Sequence, residues 1–176
     1  MFLVSSNDNM FQQTLVSSLV QKNLQITTQI SEPCFAQIDY LIRDSELEIQ
    51  VKEKVIKLPK PFRFDDVFSQ TMILLSGLFI TIDQCSYSPI KQNVTFKNKT
   101  SKLNDIHNKI FTSLILHLQK GIEKNILYRK IWPQDKEIQI NKLDTHLTNI
   151  KNKLTKELNY KFKIITAVGK IKLIIN

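Results

Sequence analysis

A chain of 176 residues, 42% of them hydrophobic, holds enough apolar surface for one medium or two small packed domains, which excludes a disordered tail. Its formal charge of +9 is segregated: residues 1–76 carry seven Lys/Arg against nine Asp/Glu, net −2, and residues 77–176 carry eighteen against seven, net +11. A Lys-rich codon bias spreads charge evenly, so the split points to a polyanion-binding module beside a module with another task.

The two cysteines, Cys34 and Cys85, have neither disulfide-framework nor zinc-ligand spacing, as expected of a reducing compartment. The opening MFLVSSNDNM lacks a charged lead before an apolar run, and no segment nears the roughly 20 apolar residues of a membrane span. The expectation is a soluble cytoplasmic, nucleoid-associated protein with no membrane partner.

Phe2 to Val4 reads as a short buried strand closed by the polar turn Ser5 to Asp8, with Asp8 or Asn9 capping the next element. Phe11, Leu15 and Leu19 recur every four residues, predicting a helix over roughly 10–22. Alternation predicts strands at 24–30, 38–42 and 48–58, the second ending in Arg43 and Asp44, before Pro59-Lys60-Pro61 punctuates the chain. Helical spacing returns over 64–75, and Gly77 marks the boundary between domains 1–76 and 77–176. Beyond it, 78–82, 87–91 and 94–96 read as short antiparallel strands, with Lys97-Asn98 as a turn in which Asn tolerates the left-handed conformation.

Ile106, Ile110, Leu114 and Leu118 predict an amphipathic helix over 104–119 that Gly121 stops. Ile126, Leu127, Ile131 and Trp132 form the apolar face of a shorter one ended by Pro133. In a third helix over 141–156, Leu143, Leu147, Ile150 and Leu154 share one narrow sector. Asn141, Thr145, Thr148, Asn149 and Asn152 lie opposite, flanked by Lys142 and Lys153. Asn pairs bidentately with adenine, Thr reaches polar base edges or a thymine methyl, and Lys neutralises phosphate. The strand-turn-strand pattern FKIITAVGKIKLI, 162–174, follows as a hairpin with basic residues near its tip. A basic helix followed by a hairpin suits a major groove with a wing on the neighbouring backbone, so double-stranded DNA is the expected partner.

The order and spacing resemble the effector domain of the OmpR/PhoB family of response regulators. LNDIHNKIFTSLILHLQKGIEKNILYRKIW, 103–132, matches its first helix, loop and positioning helix; LDTHLTNIKNKL is similar to its recognition pattern through Asp144 and His146; IITAVGKIKL is similar to its wing through Ile164, Thr166 and Gly169. The resemblance implies a winged helix-turn-helix preceded by a short sheet, backbone contacts from His146, Thr148 and Lys151, a base-reading position at Asn149, and a phosphate contact from Thr166. The family's wing arginine is replaced by Val168, its second wing glycine by Ile171 and its tyrosine by Lys172, with Lys170 as a partial substitute. Asp144 is expected to orient the helix through a helix-internal hydrogen bond or salt bridge.

The same family carries a receiver domain, and residues 2–8, IDYLIRD and LPKPF resemble parts of it, which puts Asp44 at the phosphoacceptor position and Lys60 at the invariant lysine, with Asp8 nearby. The magnesium-binding acidic pair is replaced by Ser6 and Asn7, and 15 residues between Asp44 and Lys60 leave no room for the usual helix, strand and helix. The expected fold class is therefore α/β plus α+β: a truncated, degenerate receiver-like domain with a vestigial phosphoacceptor site, then a winged helix-turn-helix.

The expected function is a sequence-specific, phosphorylation-independent transcriptional regulator acting as a homodimer, with RNA polymerase or another regulator as a further partner. The alternatives are a protein-interaction adaptor on a winged-helix scaffold and an architectural or RNA-binding role, against which stands the absence of an aromatic stacking platform. Three histidines without a nucleophile or carboxylate setting and only three glycines argue against an enzyme, a metal site or a cofactor.

Overall fold

In the computed structural model, which describes residues 1–22, 24–167 and 169–174, the chain divides into two units, Met1–Leu78 and Phe79–Asn176. The first is built on a five-stranded sheet of β1 (Phe2–Ser6), β2 (Ile26–Thr27), β3 (Ala36–Ile42), β4 (Glu46–Val51) and β5 (Lys54–Pro59) in the order β2-β1-β3-β4-β5. β1 runs parallel to β2 and β3, whereas β3, β4 and β5 form an antiparallel meander. Helix α1 (Asn9–Gln21) starts on the Asp8 carboxylate, which accepts from the Phe11 N–H at 2.8 Å. Helix α2 (Phe64–Ser76) carries Asp65 and Asp66 in its first turn, where the helix dipole favours negative charge.

Both helices cover the same face of this sheet. Tyr40 of β3 meets the Phe11 ring of α1 at 5.9 Å and is hydrogen-bonded to Thr71 of α2 at 2.8 Å. Thr71 donates to the Val67 carbonyl, so the tyrosine hydroxyl is the donor in that pair. Burial pushes its pKa up to about 12. Alternation sends Ile38, Tyr40, Leu47, Ile49 and Val51 into this core. The other face holds charged pairs, Arg43 with Glu48 at 3.2 Å and Lys57 with Glu46 at 2.8 Å.

Several expected boundaries move. The single strand over 48–58 is a hairpin turning at Lys52-Glu53, with Lys52 at φ 55°. Its apolar phase shifts from odd positions, Leu47, Ile49 and Val51, to even ones, Ile56 and Leu58, which one straight strand does not permit. The strand over 24–30 shrinks to the two residues that pair with β1.

The second unit opens with a four-stranded antiparallel sheet of β6 (Ile80–Ile82), β7 (Cys85–Ser88), β8 (Asn93–Phe96) and β9 (Lys99–Lys102) in sequential order. β9 was not expected, because KTSK carries no apolar signal; it completes the hairpin across Lys97-Asn98, where Lys97 rather than Asn98 takes the left-handed conformation at φ 51°. Three helices follow: α3 (Asp105–Leu116), capped by the Asn104 side chain, α4 (Lys124–Ile131) and α5 (Ile140–Leu158), which ends on left-handed Asn159. A second sheet joins β10 (Ile122–Glu123), β12 (Lys170–Ile174) and β11 (Lys163–Ala167) in that order. Gly121, at φ 68°, makes the close approach to β12: a Cβ there would lie 3.0 Å from the Ile171 carbonyl oxygen.

The core gathers Ile110, Phe111 and Leu114 of α3, Leu127 and Tyr128 of α4, the α5 stripe, and Ile171 and Leu173 of β12. Ile126, expected on the inner face of α4, is 48% exposed, and Tyr128 takes its place in the core. No helix among the described residues is long and apolar enough to cross a membrane.

Candidate nucleic-acid interface

Helix α5 owes its orientation to a continuous stripe, Leu143, Leu147, Ile150, Leu154 and Leu158, all buried. Burying five aliphatic side chains at roughly 1.5–3 kcal/mol each outweighs any preference of the polar side for a partner within the chain. Asn141, Thr145, Thr148, Asn149 and Asn152 therefore project outward and are exposed, as is Lys151 on the flank. Thr145 donates its hydroxyl back to the Asn141 carbonyl at 2.8 Å. Lys156, exposed and four residues beyond Asn152, extends the same outward row. The four-residue spacing announces it, although the contacts expected on this helix end at Lys153.

The two flanking lysines are less free. Lys142 pairs with the Asp135 carboxylate at 2.9 Å and lies 4.4 Å from the Trp132 ring centroid. Asp135 also accepts from the Tyr128 hydroxyl; the Tyr128 hydrogen bond and the Lys142 ammonium hold its carboxyl below the usual carboxylate range. Lys153 pairs with Glu157 at 2.8 Å, which in turn accepts from Ser101 at 2.6 Å. His146 is half-buried, its ring 5.3 Å from Trp132 and 5.4 Å from His107, so most of its surface belongs to a stack joining α3, α5 and the end of α4.

Lys124 links the helix to the hairpin. Its backbone N–H donates to the Gly169 carbonyl at 3.1 Å, and its ammonium reaches both Asp144 oxygens, at 2.6 and 2.8 Å. Twenty residues separate Lys124 from Asp144, so no local pattern announces this contact. The structure thus gives Asp144 not the expected helix-internal contact but an interhelix ion pair, which positions α5 against the start of α4. In the hairpin, Thr166 is exposed and Lys170 pairs with Ala167 near the tip. Cross-strand partners share a face, so Lys163, Lys170 and Lys172 stand together opposite buried Ile171 and Leu173. Val168 lies outside the described residues. Helices α4 and α5 with the β11–β12 hairpin therefore make a helix-turn-helix with a basic wing.

In the first unit, β1, β3 and β5 run in one direction, and Asp8, Asp44 and Lys60 follow their carboxyl ends. Lys60 donates its backbone N–H to Ser45 at 2.9 Å, beside exposed Asp44. Asp8 serves as the cap of α1. The Asn7 amide bridges the ends of β1 and β3, donating to the Ile42 carbonyl and accepting from the Ile42 N–H, both at 2.9 Å. No hydrogen bond or ion pair joins Asp8, Asp44 and Lys60, and no cluster of three or more His, Cys, Asp or Glu suited to a metal occurs among the described residues.

No protein-family model matches the chain, and no curated protein matches it. Solved structures resemble parts of it. The DNA-binding domain of CadC from E. coli aligns at 10% identity with a TM-score of 0.47, covering 55% of this chain and 91% of that one. The DNA-binding domain of CpxR from E. coli aligns at 17% identity and a TM-score of 0.46, covering 55% and 96%. The DNA-binding domain of RstA from Klebsiella pneumoniae, solved in complex with the RstA box, aligns at 13% and 0.45, covering 55% and 95%.

Proposed function

We propose that this chain is a sequence-specific DNA-binding transcriptional regulator of atypical response-regulator type, in which residues 77–176 hold the duplex and residues 1–76 form a degenerate receiver-like platform. The outward Asn/Thr face of α5 carries the reading: five exposed polar side chains stand opposite a buried stripe, on a unit of net charge +11 with a lysine-bearing wing. Asn141, Thr145, Thr148, Asn149 and Asn152 serve as base-edge contacts, and Lys151, Lys156, Thr166 and Lys170 as phosphate contacts. Lys142, Lys153 and His146, each held by a neighbour, position the helix and touch the backbone only at their exposed edges.

For the first unit, the strand order β2-β1-β3-β4-β5 has the 2-1-3-4-5 sequence of a doubly wound sheet and supports this reading, with an antiparallel meander in place of the last two crossovers. Asn7 stands where the resembled family has one of its acidic pair and spends its neutral amide on the Ile42 backbone, which supports a platform independent of phosphate. Among the described residues, six of the eight exposed large apolar side chains, Met10, Ile30 and Ile73 included, belong to this unit, which favours a role in pairing two copies in the cytoplasm.

Fluorescence anisotropy of the full chain on mixed-sequence duplex DNA tests the reading. Affinity is expected to fall steeply with salt, log K against log salt having a slope of about −0.9 per phosphate neutralised. A flat salt response or no binding overturns it. A protein-docking adaptor is the second reading, favoured by the shallow concavity beside α4 in which Ile126, and Ile138 of the following loop, lie among Asn125, Arg129 and Lys130. It predicts a stable protein partner and no DNA affinity.

A further inference from the structure

The donors and methyls on the exposed face of α5 specify a kind of duplex, an inference that rests on the DNA-binding reading above. Guanine is read most often by arginine or lysine through its paired acceptors in the major groove. Among residues 77–176 there are seventeen lysines but a single arginine, Arg129. Its guanidinium donates to the backbone carbonyls of Asp135 and Lys136, which ties it into the loop before α5. Lys142 and Lys153 are committed to Asp135 and Glu157. Lys156 stands in the last turn of α5, one turn beyond Asn152, whereas base edges are met mainly by the earlier turns of a recognition helix. Lys151 sits on the flank rather than on the outward row.

Amides and methyls remain at the centre of the face. The Asn141, Asn149 and Asn152 side chains are exposed, and no hydrogen bond to another described residue ties them. An Asn amide presents one donor and one acceptor side by side, the complement of adenine N6 and N7. Thr145 spends its hydroxyl proton on the Asn141 carbonyl, so the group it offers outward is its γ-methyl, the partner of a thymine methyl. We infer that α5 recognises an A·T-rich core through the major groove, with Asn149 and Asn152 on adenine edges and Thr145 and Thr148 on thymine methyls.

Selection of bound duplexes from a randomised pool by the full chain, followed by anisotropy on the enriched site, tests this. A·T pairs are expected at the core. Replacing a core adenine by 7-deazaadenine, which removes N7, is expected to weaken binding about five-fold or more, a penalty that disappears for the contacting position in Asn149→Ala or Asn152→Ala. Both asparagines are exposed, and thermal melts of the variants serve as the folding control. Enrichment of guanine in the core, or unchanged affinity with 7-deazaadenine and with uracil for thymine, overturns the inference while leaving DNA binding intact. Retained affinity when inosine·cytosine replaces A·T likewise overturns it, because that pair keeps the minor-groove pattern and changes the major groove. Binding without enrichment overturns the inference and the sequence-specific part of the reading, and failure to bind any duplex in the pool overturns the DNA-binding reading itself.

Discussion

His107 and His146 each bury Nδ1 without a hydrogen-bond partner among the described residues, and their rings meet edge to face at 5.4 Å between α3 and α5. Burial holds both below the ordinary histidine value of 6.5; the His146 ring and Lys153 push His107 further down, and Lys142 does the same to His146. A histidine with a depressed folded pKa binds fewer protons folded than unfolded. Its contribution to stability is therefore complete above about pH 6.5 and is lost as pH falls below that value toward the folded pKa. The thermal midpoint of the C-terminal unit is expected to drop between about pH 7 and pH 5, and His107→Leu is expected to flatten that slope. An equal slope in the variant and the parent chain would sink this assignment. Among the residues proposed to touch DNA, His146 thus has a second task, holding α5 at its angle.

Elements in the second unit are joined by a few polar contacts whose partners lie far apart in sequence. The buried Tyr87 hydroxyl of β7 is bonded to the Asn108 side-chain oxygen at 2.6 Å and to Thr112 at 2.7 Å, while the Asn108 amide donates to the Pro89 carbonyl at 3.1 Å. This network clamps the four-stranded sheet onto α3. Tyr87→Phe removes the shared hydroxyl and strands buried acceptors, a loss of roughly 1–3 kcal/mol. Urea unfolding should register it as a lower midpoint at constant m-value, and an unaltered midpoint would mean that the network contributes nothing. The Lys124–Asp144 pair similarly ties the wing and α4 to α5, although as a partly exposed ion pair it is worth only about 1 kcal/mol or less. Its value lies in register, since one side chain and its backbone touch both recognition elements.

The whole chain combines a net-negative unit rich in exposed apolar residues with a strongly basic one. If the first unit pairs two copies, each duplex-binding surface gains from its neighbour through effective concentration, which compensates for a wing that has Val168 where the resembled family has arginine. The full chain is expected to sediment as a dimer at micromolar concentration, equally with and without a small-molecule phosphodonor and magnesium. A monomer at every concentration, or a dimer that forms only with phosphodonor and is abolished by Asp44→Asn, would overturn the phosphate-independent platform.

Periodicity alone located α1, α2, α3 and α5 and identified the buried side of α5, because a leucine stripe at helical spacing has one low-energy way to face a core. Charge counting separated the basic region from the rest for a similarly local reason, since composition needs no contacts. The hairpin within 46–59 and the strand Lys99–Lys102 stayed hidden, as their pairing depends on a partner strand and a two-residue turn rather than on hydrophobic rhythm. The tertiary structure decided which of the proposed contact residues are free. Lys142, Lys153 and Arg129 look equivalent to any other surface cation in the one-dimensional chain, yet Asp135, Glu157 and backbone carbonyls already hold them. Such partners are chosen by three-dimensional proximity, and on α5 they leave the Asn side chains, Thr148 and Lys151 unoccupied among the described residues.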